Sequence, residues 1–144
     1  MKNSNVSNQY CGFVLGDDYY AVPVLRVQEV VKPLNITKVP LSQDYVTGLI
    51  NLRGQIVTSI DLKKMLKISS PTNENDYMNI IVKSEDSLIS LVVDKILDVF
   101  EVEEQNLEET PDTLDNHLKQ FVSNVYKTDK KIFILLDIEK LLKF

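Results

Sequence analysis

Few side chains in this 144-residue chain are of types that do covalent chemistry. Cys11 is the only cysteine and His117 the only histidine. A Cys–His nucleophilic pair, and with it a small hydrolase, is formally available but has no local signature. His117 stands in the polar stretch Leu114-Asp-Asn-His-Leu118, where a solvated linker residue is expected. Cys11 falls in an apolar segment that suits a buried, inert thiol. Asp61 and Asp137 read as helix caps rather than as a catalytic carboxylate pair. Four glycines do not make a phosphate-cradling loop, and no His or Cys pair has metal-ligand spacing. The sequence thus points to no catalysis, cofactor or metal. What remains is Arg53, a long cation at the corner of two apolar runs in Gly48-Leu-Ile-Asn-Leu-Arg-Gly-Gln-Ile-Val-Thr-Ser-Ile-Asp-Leu62. It is either a solvated turn residue or a contact held out on a rigid tip. It could pair with a partner's carboxylate or with Glu29 of its own chain.

The elements around that corner follow from alternation and turn residues. Tyr10–Leu15 and Tyr19–Val24 are expected to pair across Gly16-Asp17-Asp18. Leu25–Val31 is ambiguous: Val27, Val30 and Val31 fit one helical turn, while β-branching favours a strand. Val27 and Val30 belong either to the core or to an apolar strip beside Arg53. The Arg53-Gly54 turn needs φ > 0, which Gly54 supplies. Asp61 caps a short helix carrying Leu62, Met65 and Leu66. Ser69–Asp76 reads as the clearest internal linker. Met78–Lys83 and Ser87–Val93 form a second hairpin, and Asp94–Phe100 is a short amphipathic piece. Thr110–Gln120 is irregular or weakly helical. Phe121–Tyr126 and Lys131–Leu136 form a last hairpin, and a helix capped by Asp137 closes the chain.

Composition fits a soluble globular protein, with 44% apolar and 26% charged residues. No run approaches a membrane span, and the polar start has no signal-like segment, so a frayed tail over residues 1–8 and a cytoplasmic location are expected. The net charge of −5 argues against nucleic acid as a partner. Residues 1–70 hold 8 Lys/Arg against 5 Asp/Glu, and residues 71–144 hold 8 against 16. The excess lies in 101–115, either a solvated connecting face or a patch that steers a basic partner.

The chain also repeats itself. Ile56–Leu66 shifted by 76 lies on Ile132–Leu142, pairing Asp61 with Asp137. Asp17–Val31 shifted by 69 lies on Asp86–Phe100, pairing Glu29 with Asp98. Short strands in duplicate suggest two small barrels or sandwiches with a shared interface.

Val27-Gln-Glu-Val-Val31, Ile36-Thr-Lys-Val-Pro40, Tyr45-Val-Thr-Gly-Leu-Ile-Asn-Leu-Arg-Gly54, Ile60-Asp-Leu62, Leu91-Val-Val-Asp94 and Ile134–Leu142 together resemble the CheW domain of chemotaxis coupling proteins. The resemblance runs over residues 9–144 as one domain. It implies a mainly β fold of two five-stranded SH3-like barrels packed together, with short helices including one at the C-terminus. It implies a non-catalytic adaptor, without cofactors, joining methyl-accepting chemoreceptors to the chemotaxis histidine kinase through the kinase's CheW-like regulatory domain. It associates with membrane arrays through those partners, without inserting. A scaffold of a related non-flagellar pathway is the alternative, and a fragment that works with a receiver domain fits less well with a chain ending at Phe144. The resemblance puts Val27, Glu29, Gly48, Asn51, Arg53 and Gly54 forward as partner contacts. Thr58-Ser59 departs from the family pattern, which has a proline and an apolar residue there.

Overall fold

In the computed structural model, residues 8–70 and 76–143 are described. The order is β1 (Gln9–Leu15), β2 (Asp18–Pro23), β3 (Val27–Val31), β4 (Ile36–Thr37), β5 (Val46–Leu52), β6 (Gln55–Asp61), α1 (Leu62–Met65), β7 (Met78–Ser84), β8 (Ser87–Val93), β9 (Lys95–Glu101), β10 (Leu107–Glu108), α2 (Asn116–Lys119), β11 (Val122–Lys127), β12 (Ile132–Leu136) and α3 (Ile138–Leu141). The mainly β, two-lobed expectation holds. Each sheet has five strands of five to seven residues and a sixth of only two, β4 or β10, where six strands replace the five expected.

The two sheets do not follow the two halves of the chain. Sheet I runs β10-β11-β12-β2-β1-β9 and sheet II runs β3-β7-β8-β6-β5-β4. The first half lends its hairpin β1–β2 to the second half, and the second half lends β7–β8 in return. Parallel pairs seat the borrowed hairpins, β2 on β12 and β8 on β6. The ambiguous stretch divides accordingly: Val24–Arg26 is a 3-10 turn and Val27–Val31 is a strand, because it leaves β2 in sheet I and joins β7 in sheet II. Asp94–Phe100 proves to be mostly the strand β9 on the return crossing. The supposed linker joins α1 to β7 and divides no lobes; its residues 71–75 lie outside the described residues, as do residues 1–7 of the tail and Phe144. Asn8 accepts a backbone hydrogen bond from Val102 at 2.8 Å.

The repeat is physical. Thr47 Oγ1 donates to the Ser59 carbonyl at 3.1 Å, and 76 residues on Ser123 Oγ donates to that of Leu135 at 3.2 Å. Backbone Asp61 reaches the Tyr45 carbonyl at 2.7 Å, and Asp137 that of Phe121 at 2.8 Å. Both aspartates cap as expected, each accepting from the amide three residues on at 3.3 Å. The offset grows from 69 to 76 across the stretch that holds β10 and α2.

The core has three parts. Ile50, Leu52, Val57, Ile81 and Leu88 fill sheet II, and Ala21, Val102, Tyr126, Phe133 and Leu135 fill sheet I. The largest cluster lies between the lobes and includes Phe13, Tyr20, Ile60, Leu62, Leu91, Leu136 and Leu141. The expected shared interface is thus the principal apolar core. One ion pair lies against it: Lys63 Nζ on α1 meets Asp94 Oδ1 at 2.7 Å, with side chains 3% and 23% exposed. Asp94 Oδ2 also accepts the Gly16 amide at 2.7 Å.

Two stability predictions follow from buried polar groups. Asp94→Asn removes the carboxylate charge that faces the nearly buried Lys63 ammonium and should lower unfolding free energy by about 3 kcal/mol in urea titration, with Lys63→Met in the same chain recovering part of the loss. Ser59 Oγ is fully buried and has no hydrogen-bond partner among the described residues, at the position where the second copy has Leu135. Ser59→Ala should therefore leave stability unchanged or raise it by about 1 kcal/mol in the same titration.

Candidate functional site

The β5–β6 hairpin ends in a two-residue turn, Arg53-Gly54, flanked by the pair Leu52 and Gln55. Both turn residues have positive φ, 51° at Arg53 and 87° at Gly54, as the right-handed strand twist requires. The Gly54 amide donates to Asn51 Oδ1 at 2.7 Å. Asn51 therefore braces the turn from within and offsets the strain of a non-glycine residue at positive φ.

From this tip the Arg53 guanidinium reaches Glu29 on β3 and forms an ion pair through Nη2 and Oε2. β3 is one edge of sheet II, and β5 lies next to the other. The pair thus spans a sheet that has curled round on itself. Arg53 is 66% exposed and Glu29 26%, so the guanidinium is anchored while most of it faces water. The hydrogen bond and charge of Arg53 hold the Glu29 carboxyl below its usual range, with the Gln28 side chain adding to the effect, and Glu29 raises Arg53 in turn.

The other forward residues behave differently. Val27 is half-buried and packs with Val30 against the core between the lobes. Gly48 sits five residues back along β5 with φ 145°. A Cβ there would stand 2.3 Å from the Thr37 carbonyl and 2.7 Å from Ile36 Cγ2, so glycine is what lets β4 lie against β5. Gly54 has open space around it and is required only for its φ.

The corner has no copy in sheet I. At offsets of 69 and 76, Glu29 corresponds to Asp98 and Arg53 to Asp129, two acids that cannot pair. A hollow of about 250 Å³ opens there, lined by Asp98, Phe100, Tyr126 and Phe133, while Lys131 Nζ lies 4.9 Å from the Tyr19 ring centroid. A larger cleft of about 570 Å³ lies along sheet II near Gly48, between Lys38, Thr47, Lys64 and Tyr77. Sequence reasoning did not find either.

His117 is not a solvated linker residue. It is half-buried on α2, with Nε2 2.9 Å from the Met65 carbonyl and Nδ1 3.4 Å from Gln120 Nε2. It therefore carries its proton on Nε2 and ties α2 to α1. Cys11 is buried as expected, and burial pushes its thiol up, away from nucleophilic character. Among the described residues no group of His, Cys, Asp and Glu is placed to hold a metal, and no helix is long and apolar enough to cross a membrane.

The Glu29 shift has a pH consequence. A depressed folded-state value stabilises above the ordinary carboxylate range and is lost as pH falls through the folded value. Carboxyl chemical shifts should place Glu29 titration below the reference value of 4.5, and Arg53→Gln should return it towards that value.

The chain matches the CheW-like domain family over residues 9–144. It is 27% identical over 135 residues to the chemotaxis protein CheW of Helicobacter pylori, covering 94% of this chain and 81% of that one. Against the chemotaxis protein CheW of Thermotoga maritima it is 32% identical over 132 residues, covering 91% and 85%. The crystal structure of the scaffolding protein TtCheW from Thermoanaerobacter tengcongensis superposes with a TM-score of 0.86 at 32% identity, covering 96% of this chain and 94% of that one. With this fold and this match over nearly its whole length, the chain belongs to the CheW family, the non-catalytic chemotaxis scaffolds that couple receptors to their kinase.

Proposed function

We propose that the Glu29–Arg53 corner, braced by Asn51 and Gly54, is where the cytoplasmic tip of a methyl-accepting chemoreceptor meets this protein, with Val27 setting the apolar floor beside it. Gly48 serves the same surface indirectly, by seating β4. The kinase's CheW-like regulatory domain binds at a separate surface, so that both partners are held at once. A shift in receptor conformation then biases the kinase equilibrium through differential contacts. Residues 9–144 act as one unit of two lobes, in the cytoplasm, held at membrane arrays by the partners rather than by insertion.

The observation that carries this reading is the asymmetry of the corner. Its guanidinium is exposed yet fixed in direction, which suits recognition of a carboxylate at low entropic cost. The pseudo-equivalent corner, with Asp129 in the turn and Asp98 on β9, has no guanidinium. A requirement of the turn alone would not demand an arginine.

Arg53→Glu tests it. The variant should lose receptor capture by roughly tenfold or more, as an interface arginine of this kind does. Its thermal unfolding midpoint should stay nearly unchanged, because exposed pairs contribute little to stability. Capture is read as co-purification of a chemoreceptor and a histidine kinase with the tagged protein. A large loss of stability with intact capture would make Arg53 a structural residue and overturn the assignment.

A further inference from the structure

The chain crosses between the sheets twice, and each crossing is held by an ion pair to a short capped helix. On the way from β2 to β3, Arg26 donates to the Lys83 carbonyl through Nη2 at 2.8 Å and Nε at 3.2 Å. Its Nη1 meets Glu139 Oε1 on α3 at 2.6 Å. On the way from β8 to β9, the Asp94 amide donates to the Val14 carbonyl at 3.1 Å, and its carboxylate meets Lys63 on α1. The helix residues and the carbonyls are related by the repeat, Lys63 and Glu139 being 76 apart and Val14 and Lys83 69 apart, whereas the crossing residues Arg26 and Asp94 are 68 apart and stand one position out of that register. The polarity is inverted. One crossing carries the cation and its helix the anion, and the other the reverse.

The surroundings also differ. Lys63 is 3% exposed and its partner is further bound by the Gly16 amide. Arg26 is 28% exposed and Glu139 64%. Both members of the second pair are thus more exposed to water and salt than either member of the first. Arg26 immediately precedes β3, the strand that carries Val27 and Glu29. It also ties the 3-10 turn before β3 to the strand β3 pairs with, β7.

We propose that the two crossings are a fixed clamp and a releasable latch: Lys63–Asp94 holds the lobes together, and Arg26–Glu139 couples the C-terminal helix to the β3 edge, so that a change at α3 is felt at β3. This coupling is a property of the protein alone and does not rest on what β3 binds.

Amide hydrogen exchange of the full chain tests it. Glu139→Gln should speed exchange at α3, read at Leu141 and Leu142, and at the β3 amides together, by about two- to fivefold, while the β7–β8 ladder stays at the wild-type rate. About 1 M salt should reproduce that pattern in the wild-type protein, add nothing in Glu139→Gln, and leave the Gly16 amide as protected as before. Faster exchange at α3 with β3 unchanged removes the coupling. No change at either, or a uniform rise through both sheets, removes the latch, and loss of Gly16 protection in salt removes the fixed clamp.

Discussion

Everything else in this fold depends on the exchange of hairpins between the two halves of the chain. Sheet I cannot close without β1 and β2, and sheet II cannot close without β7 and β8. Each borrowed hairpin turns one face into its adopted sheet and the other into the core between lobes, where Phe13, Tyr20, Ile80 and Leu91 lie. Burial of that kind, at about 25 cal/mol per Å², explains how two lobes each too small to be comfortable alone make one stable body. The lobes are therefore not two domains in contact. They are one core with two wings.

The corner at Arg53 inherits its geometry from that exchange. Glu29 arrives at the edge of sheet II because β3 has crossed over from β2, and Arg53 reaches it because sheet II curls until the β5–β6 tip faces β3. The two sheets also differ in charge. Residues 9–26 and 94–143, which build sheet I, hold 14 Asp/Glu against 8 Lys/Arg, while residues 27–93 hold 7 of each. The neutral lobe sets Arg53 against Glu29, and the acidic lobe has Asp129 and Asp98 at the corresponding positions. Two lobes with one backbone plan thus present different chemistry at their tips, as a scaffold with distinct partners needs.

Local features were legible in the sequence, and long-range ones were not. The alternation of β1, β2, β7 and β8, the caps at Asp61 and Asp137, and the positive φ at Gly54 all rest on neighbours within a few residues. The duplication was legible too, because it is a comparison of the chain with itself. The exchange was not, since parallel pairing of Tyr20 with Ile134 leaves no mark near either residue. The pairing of Lys63 with Asp94 left no local mark either, since the two are 31 residues apart. His117 was misjudged for the same reason: the Met65 carbonyl it binds is 52 residues away. At the corner, the types and spacing of Asn51, Arg53 and Gly54 were readable, whereas the half-buried role of Val27 and the steric role of Gly48 required the strands beside them.

The exchange also sets an order of events during synthesis. β1 and β2 leave the ribosome first, but β12, on which β2 lies, is complete only at Leu136, more than a hundred residues later. At about 5–20 residues per second the opening hairpin waits on the order of 5–20 s with its apolar faces uncovered. Sheet II has no such delay, because β3 to β8 are contiguous and are all made before β9. The lobe that carries the corner can therefore form around residues 27–93 while the chain is still growing, and the N-terminal hairpin is folded in last, together with the C-terminal strands.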